Sequence, residues 1–244
     1  MQRIVCLTVL AAVLGVVSFS MAVAESPAPT ASSSSSQAKE LFNGKDLEGW
    51  DGDPALWSVE DGVITGRTSK DKPLKHNNFL IWKGGTLKDF ELHVKYKIAN
   101  GNSGVQYRST DDGDHRVSGY QADIVGGDND KYSGILYEEN RRGILAQRGQ
   151  KVVIDAEGKK NVVGSVGEAD AIVKAVKKGD WNEYTIIARG NHLTQQINGV
   201  MTVDVTDEQT AKAAKEGILA LQMHVGDPMM VQFKDIKLTA LKGE

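Results

Sequence analysis

The chain has 244 residues, a net charge of −3 and a pI near 6.0. Its charges are interspersed and form no basic stripe, which argues against a nucleic-acid or anionic-membrane partner. The one cysteine, Cys6, sits near the N-terminus, so a core rather than disulfides must hold the fold, and a chain of this length can build one.

Gln2-Arg3, an apolar run from Ile4 to about Phe19, and the small-x-small pattern Ala22-Val23-Ala24 read as a secretory signal peptide over residues 1–24. The run is short and wrongly flanked for a membrane span, and Cys6 lies at its start, badly placed for lipoprotein attachment. The protein is therefore expected to be periplasmic or secreted, and free of the membrane after cleavage. Residues 25–38 carry "ESPAPTASSSSSQ", a Ser-, Pro- and Ala-rich linker with nothing to bury. The folded part begins near "KELFNGKDLEGW", and residues 39–242 read as a single β-sandwich domain, with turn signals recurring at the spacing of an all-β fold.

The strands follow by period-two alternation. In "DFELHVKYKIA", Phe90, Leu92, Val94, Tyr96 and Ile98 share an inward face, and Glu91, His93, Lys95 and Lys97 face outward. In "SGVQYRS", Val105 and Tyr107 oppose Gln106 and Arg108; in "GYQADIV", Tyr120, Ala122 and Ile124 oppose Gln121 and Asp123. "EADAIVKAVKKG" has a small apolar face of Ile172, Val173 and Val176 and a stop at Gly179, which predicts a short helix. Between residues 182 and 205, the pairs Gly190-Asn191 and Asn198-Gly199 mark two hairpin turns and three consecutive antiparallel strands. Thr206 and Gln209 fit a capping box, which predicts a second short surface helix to about Lys215. In "GILALQMHVG", Leu219, Leu221 and Met223 oppose Ala220, Gln222 and His224. In the last strand the apolar phase slips from Val231 and Phe233 to Ile236 and Leu238, the sign of a β-bulge near Lys234-Asp235.

Three strands thus each place a polar pair on one face: Gln106/Arg108, Gln121/Asp123 and Gln222/His224. Any half-buried strand has a polar side, but solvent faces favour Lys, Glu and Thr. Amides, an acid, a guanidinium and an imidazole together are costly to order unless they bond one another or a ligand, and they are the groups that grip sugar hydroxyls. Other chemistries find no support. "TDDGDH" and "GGDND" are acidic turns that do not match a calcium loop. The histidines have no zinc-motif spacing, and neither G-x-S-x-G nor a phosphate loop is present. Trp50, Trp57, Trp82 and Trp181 fit the core or its rim.

The segments "LFNGKDLEGW", "WSVEDGVITG", "DFELHVKYKI", "NSGVQYRS", "GYQADI", "GILYEENRRGILA" and "LALQMHVGDPMMVQFKDIKL" together resemble the 3-keto-disaccharide hydrolase domain family, whose members include 3-keto-glucoside lyases and 3-keto-2-hydroxyglucal hydratases. The resemblance runs from about residue 39 to 241. It implies an antiparallel jelly-roll, concanavalin A-like sandwich, here with one or two short surface helices, and an exported protein acting on an oxidised (3-keto) glycoside. Arg108 matches the family's arginine after "NSG", Gln222, His224 and Gly226 keep its Gln-x-His-x-Gly pattern, and Tyr137, Glu138 and Arg142 lie in a segment typical of one branch. Gln121-x-Asp123 stands where many members have Glu-x-Gln, so acid and amide have changed places. By this resemblance, a base removes the C2 proton beside a C3 ketone, the C1 group is expelled, and water adds. His224 or Asp123 could be the base, Arg108 or Arg142 could hold the enolate, and Tyr137 or Glu138 could serve the leaving oxygen; Gln106, Gln121, Gln222 and Arg142 are expected to bind substrate. A divalent metal could replace the arginine's role. The rival readings are a non-catalytic, lectin-like carbohydrate-binding module and an adhesion or scaffolding domain.

Overall fold

The computed structural model describes residues 37–127 and 131–242. The expected signal peptide and nearly all of the expected linker lie outside the described residues. The described residues form sixteen strands and one helix. The first strands are β1 (Lys39–Glu40), β2 (Trp50–Asp51), β3 (Trp57–Glu60), β4 (Val63–Arg67), β5 (Asn78–Trp82), β6 (Phe90–Gly113) and β7 (Arg116–Gly126). Then come β8 (Leu136–Glu139), β9 (Gly143–Ala146), β10 (Gln150–Ile154), β11 (Lys160–Ser165) and the helix α1 (Ala169–Ala175). The chain ends with β12 (Asn182–Arg189), β13 (His192–Ile197), β14 (Val200–Asp207), β15 (Ile218–Met223) and β16 (Met230–Ala240). No helix among the described residues is long and apolar enough to cross a membrane.

Two sheets share β6. Its first half pairs with β12 and β16, its second half with β7 and β15. The first sheet runs β3-β4-β16-β6-β12-β13-β14-β10-β11, and the second β2-β5-β15-β6-β7-β8-β9. The crossing falls at Gly101, whose φ of +88° suits glycine and where a Cβ would lie 2.8 Å from Met229. The described pairings are antiparallel except β10 with β14. The result is the expected all-β jelly-roll sandwich.

The alternation read from the sequence sorts the layers. Phe90, Leu92, Val94, Tyr96 and Ile98 pack with Val105, Tyr107, Tyr120, Ala122, Leu219, Leu221 and Met223 in one core between the sheets. Tyrosines cross that core: Tyr107 and Tyr120 stack with ring centres 5.7 Å apart, and the Tyr107 hydroxyl accepts a 3.1 Å hydrogen bond from Gln195. A hydroxyl buried this deeply needs such a partner. The hairpins at Gly190-Asn191 and Asn198-Gly199 form as read. The bulge forms too, with Asp235 at φ +48° and a register shift between Lys234 and Lys237.

One of the two helices expected forms: α1 buries Ile172. The capping-box helix from Thr206 does not. Thr206 and Asp207 extend β14 and pair with Val153 and Ile154 of β10. The Gln209 side chain, instead of capping, accepts a 3.1 Å hydrogen bond from Arg142. A continued ladder and a buried cation outweigh the local capping preference of a short polar segment.

Candidate functional site

A cavity of about 290 Å³ opens on the outer face of the second sheet. Adjacent strands set Gln106 beside Gln121, and Gln121 beside Tyr137. Gly104 pairs with Asp123. A Cβ on Gly104 would lie 2.5 Å from the Gln121 side chain, so its hydrogen leaves the room that the amide occupies. Asp123, Gln121, Tyr137 and His224 line the cavity, joined by Asn77, Asn102, Tyr132, Ile135, Glu139 and Ile144.

A relay of hydrogen bonds orients the acid. The Ser109 hydroxyl lies 2.7 Å from the Gln106 amide, the Gln106 and Gln121 amides approach to 2.7 Å, and the Gln121 amide donates to Asp123. Asn102 donates a longer bond of 3.4 Å to the other Asp123 oxygen. Burial nevertheless dominates: it pushes the Asp123 carboxyl up to about 7, against both amide donors and with help from the Glu139 charge. Burial also raises Glu139, opposed by the Asn77 donor, the nearby His224 and Gln222. Tyr137 is raised by burial and by the two carboxylates.

Just past β15, the His224 Nδ1 lies 2.5 Å from the Val225 carbonyl. A ring nitrogen facing a carbonyl carries its proton, which leaves Nε2 with the lone pair in the neutral ring. Asn77 ties this turn to the acid side. Its Oδ1 accepts from the Val225 N–H at 2.9 Å, and its Nδ2 donates to Glu139 at 2.8 Å.

Four of the expected residues therefore meet in the cavity: His224, Asp123, Gln121 and Tyr137. Gln106 and Gln222 lie fully buried beside it, Gln106 in the relay and Gln222 donating at 3.4 Å to Glu139. Arg108, Glu138 and Arg142 are placed elsewhere. Arg108 adopts φ +46° at a register shift between Tyr107 and Thr110, which breaks the alternation with Gln106. Its buried guanidinium donates to the carbonyls of Lys88 and Gly190, both at 2.6 Å, and to Asp89 at 2.9 Å. Glu138 points under β8 to Arg142 (2.5 Å), which also pairs with Asp207 at 2.7 Å. That Asp207 accepts from the Tyr120 hydroxyl at 2.5 Å.

Glu139, Asn77, Asn102 and Tyr132 escaped the sequence reading. Two of them had a signal. Neighbours on a strand face opposite ways, so once Tyr137 faces the cavity Glu139 must and Glu138 must not. Asn102 likewise shares its face with Gly104 and Gln106. Asn77 and Tyr132 lie outside the strands and carry no periodic signal. For a divalent metal the donor set does not fit: no three His, Cys, Asp or Glu side chains come together in ligating geometry among the described residues.

Comparison with solved structures supports the fold. A candidate glycosyl hydrolase from Parabacteroides distasonis is 23% identical, with a TM-score of 0.56 over 84% of this chain and 100% of that one. A carbohydrate-binding module from Bacillus subtilis is 13% identical, with a TM-score of 0.51 over 79% of this chain and 96% of that one. A galectin-like protein of unknown function, also from Bacillus subtilis, is 9% identical, with a TM-score of 0.53 over 85% and 96% of the two chains. No curated relative matches the chain. The model of one family matches residues 37–239, nearly the whole of the described sandwich, and the chain belongs to that family, the 3-keto-alpha-glucoside-1,2-lyase-like domains.

Proposed function

We propose that this domain cleaves 3-keto-glycosides by elimination followed by hydration, and that it does so outside the cytoplasm. The observation that carries the proposal is one cavity holding both an imidazole with a free Nε2 and a carboxyl group that burial keeps protonated up to about pH 7. These are the base and the acid that such a reaction needs.

A ketone at C3 acidifies the C2 hydrogen. His224 Nε2 takes that proton, and the electron pair is held as an enolate on the C3 oxygen. The enolate collapses to a C1–C2 double bond and expels the C1 oxygen, which leaves with the proton of Asp123. Water then adds at C1, giving a proton back to the Asp123 carboxylate, and the imidazolium returns its proton to C2. The sum is hydrolysis, without the paired-carboxylate geometry of ordinary glycosidases. The enolate oxygen falls to neutral donors, Asn102 and Tyr137, since the two arginines expected there are engaged in buried contacts. Glu139 stabilises the imidazolium across the cavity.

The test is release of the leaving group from a 3-keto-glucoside by the purified domain in deuterated water. Turnover with deuterium at C2 of the product supports the reading, and His224→Ala is expected to lower the rate by about 10²- to 10⁴-fold. Wild-type turnover by that variant would sink the role of His224. The second reading, a non-catalytic sugar-binding module, draws on the same amides and on Tyr132 and Tyr137 in the cavity wall. It requires binding of the unoxidised sugar with no exchange at C2.

A further inference from the structure

The cleft continues past Glu139. A second lobe of about 520 Å³ opens beyond Asn77 and Glu139, which line both lobes. A pocket for a small ligand spans roughly 300–1,000 Å³. The first lobe alone is therefore tight for a glycoside of two rings, whereas the pair is ample.

The new walls are polar. Asp112 and Arg116 come from the β6–β7 turn region, and Asn140 from the loop after β8. The Arg116 guanidinium has no hydrogen-bond or ion-pair partner among the described residues, while lining this lobe. Asn140 donates its amide to the Val117 carbonyl at 3.2 Å, which leaves its own side-chain oxygen available to a ligand. The apolar contribution is Val225, 38% exposed.

We propose that this second lobe is the subsite for the C1 leaving group and that it selects a neutral sugar. The inference rests on the catalytic reading above for its direction: the sugar that is oxidised sits between Asp123 and His224, and the group it loses lies across Asn77 and Glu139. The chemical class follows from the walls. An aromatic leaving group would need a broad apolar or stacking surface, and one half-exposed valine with the single exposed ring of His76 does not supply it. A sugar acid would meet two carboxylates, Asp112 and Glu139, against one guanidinium. A polyol fits: Arg116 offers parallel N–H donors to adjacent hydroxyls, and Asp112 and Asn140 accept from others.

The experiment compares two 3-keto-glucosides, one carrying glucose at C1 and one carrying methanol, on the wild type, Arg116→Ala and Arg116→Glu. Arg116 is exposed, so both variants are expected to fold, and their unfolding midpoints check this. Expected is a loss in kcat/KM of about tenfold or more on the disaccharide, the equivalent of one charged hydrogen bond, with less than twofold on the methyl glycoside. Equal losses on both substrates, or none on either, would overturn the subsite. If the wild type turns over neither substrate, the catalytic reading has failed, and calorimetry with the unoxidised disaccharide and methyl glucoside judges the lobe by itself. Tighter binding of the disaccharide, with the difference lost in Arg116→Ala, upholds it as a sugar site. Equal affinity, or no binding, overturns it.

Discussion

Glu138 and Glu139 are adjacent on β8, yet one carboxylate pairs with Arg142 beneath the sheet at 2.5 Å and the other accepts from Asn77 in the cavity at 2.8 Å. The two should respond oppositely to substitution. Glu138→Ala leaves a buried guanidinium with half its counter-charge, and is expected to cost on the order of 3 kcal/mol of stability. Glu139→Gln keeps shape and volume, and is expected to lower kcat while changing stability by less than about 1 kcal/mol. Urea unfolding and turnover measured on both variants check the pair; a stable Glu138→Ala variant with impaired catalysis would reverse the assignment.

Arg108 gives a second contrast. Three backbone carbonyls and Asp89 surround its guanidinium, with Ala214 the most distant at 3.4 Å. Arg108→Lys cannot reproduce that fork of donors. It is expected to lower the unfolding free energy by about 2–4 kcal/mol, with kcat/KM on a 3-keto-glucoside changed less than threefold in the protein that remains folded. A loss of turnover at unchanged stability would instead bring Arg108 back to the substrate.

Asp123 links activity and stability to pH. Its carboxyl is raised to about 7 in the fold, above the usual value near 4 of an unfolded chain. The folded state therefore holds a proton that the unfolded chain has released. The stability contributed by this group is full below about pH 4 and is lost as pH rises to about 7, by roughly 1.4 kcal/mol for each pH unit between those two values. Asp123→Asn is thus expected to be more stable than the wild type at pH 8, and to lose that advantage at pH 4. If Asp123 is the acid, kcat falls above pH 7, and the same variant removes that limb along with most of the rate. Unfolding at the two pH values and a pH–rate profile are the measurements.

Gly104 has a role that its lack of a side chain makes testable. In Gly104→Ala the new methyl would lie 2.5 Å from Gln121, whose amide orients Asp123. Displacement of Gln121 is expected to lower kcat/KM by as much as 10²-fold, since displacements of about 1 Å in a positioned group have that effect. The overpacking itself costs about 1–3 kcal/mol. A variant with wild-type kcat/KM would show that the amide relay does not position the acid.

Much of the fold was legible because β-structure writes itself as alternation. Val105, Tyr107, Tyr120, Ala122 and Leu221 all fall on the inward side that period two assigns them. The same rule brought Gln121, Asp123 and His224 to one face. It was blind at two kinds of place. At Arg108 a left-handed backbone inserts a bulge, and one residue of slip sends the side chain to the other side. At Thr206 a local capping signal lost to pairing with β10, a strand some fifty residues earlier that no local pattern reveals.

The order of apolar and polar side chains along each strand was enough to define two buried layers and a polar outer face, because burial of apolar area depends on which side a residue faces and little on what lies far away in the chain. Which polar groups share a cavity depended on register and a bulge. Asn77 reaches Glu139 across 62 positions of sequence, and Arg142 joins Asp207 across 65. Hydrogen bonds and ion pairs act over a few ångströms and in fixed directions, so the partners of Asp123, Glu139 and Arg142 were decided when the sheets closed on one another.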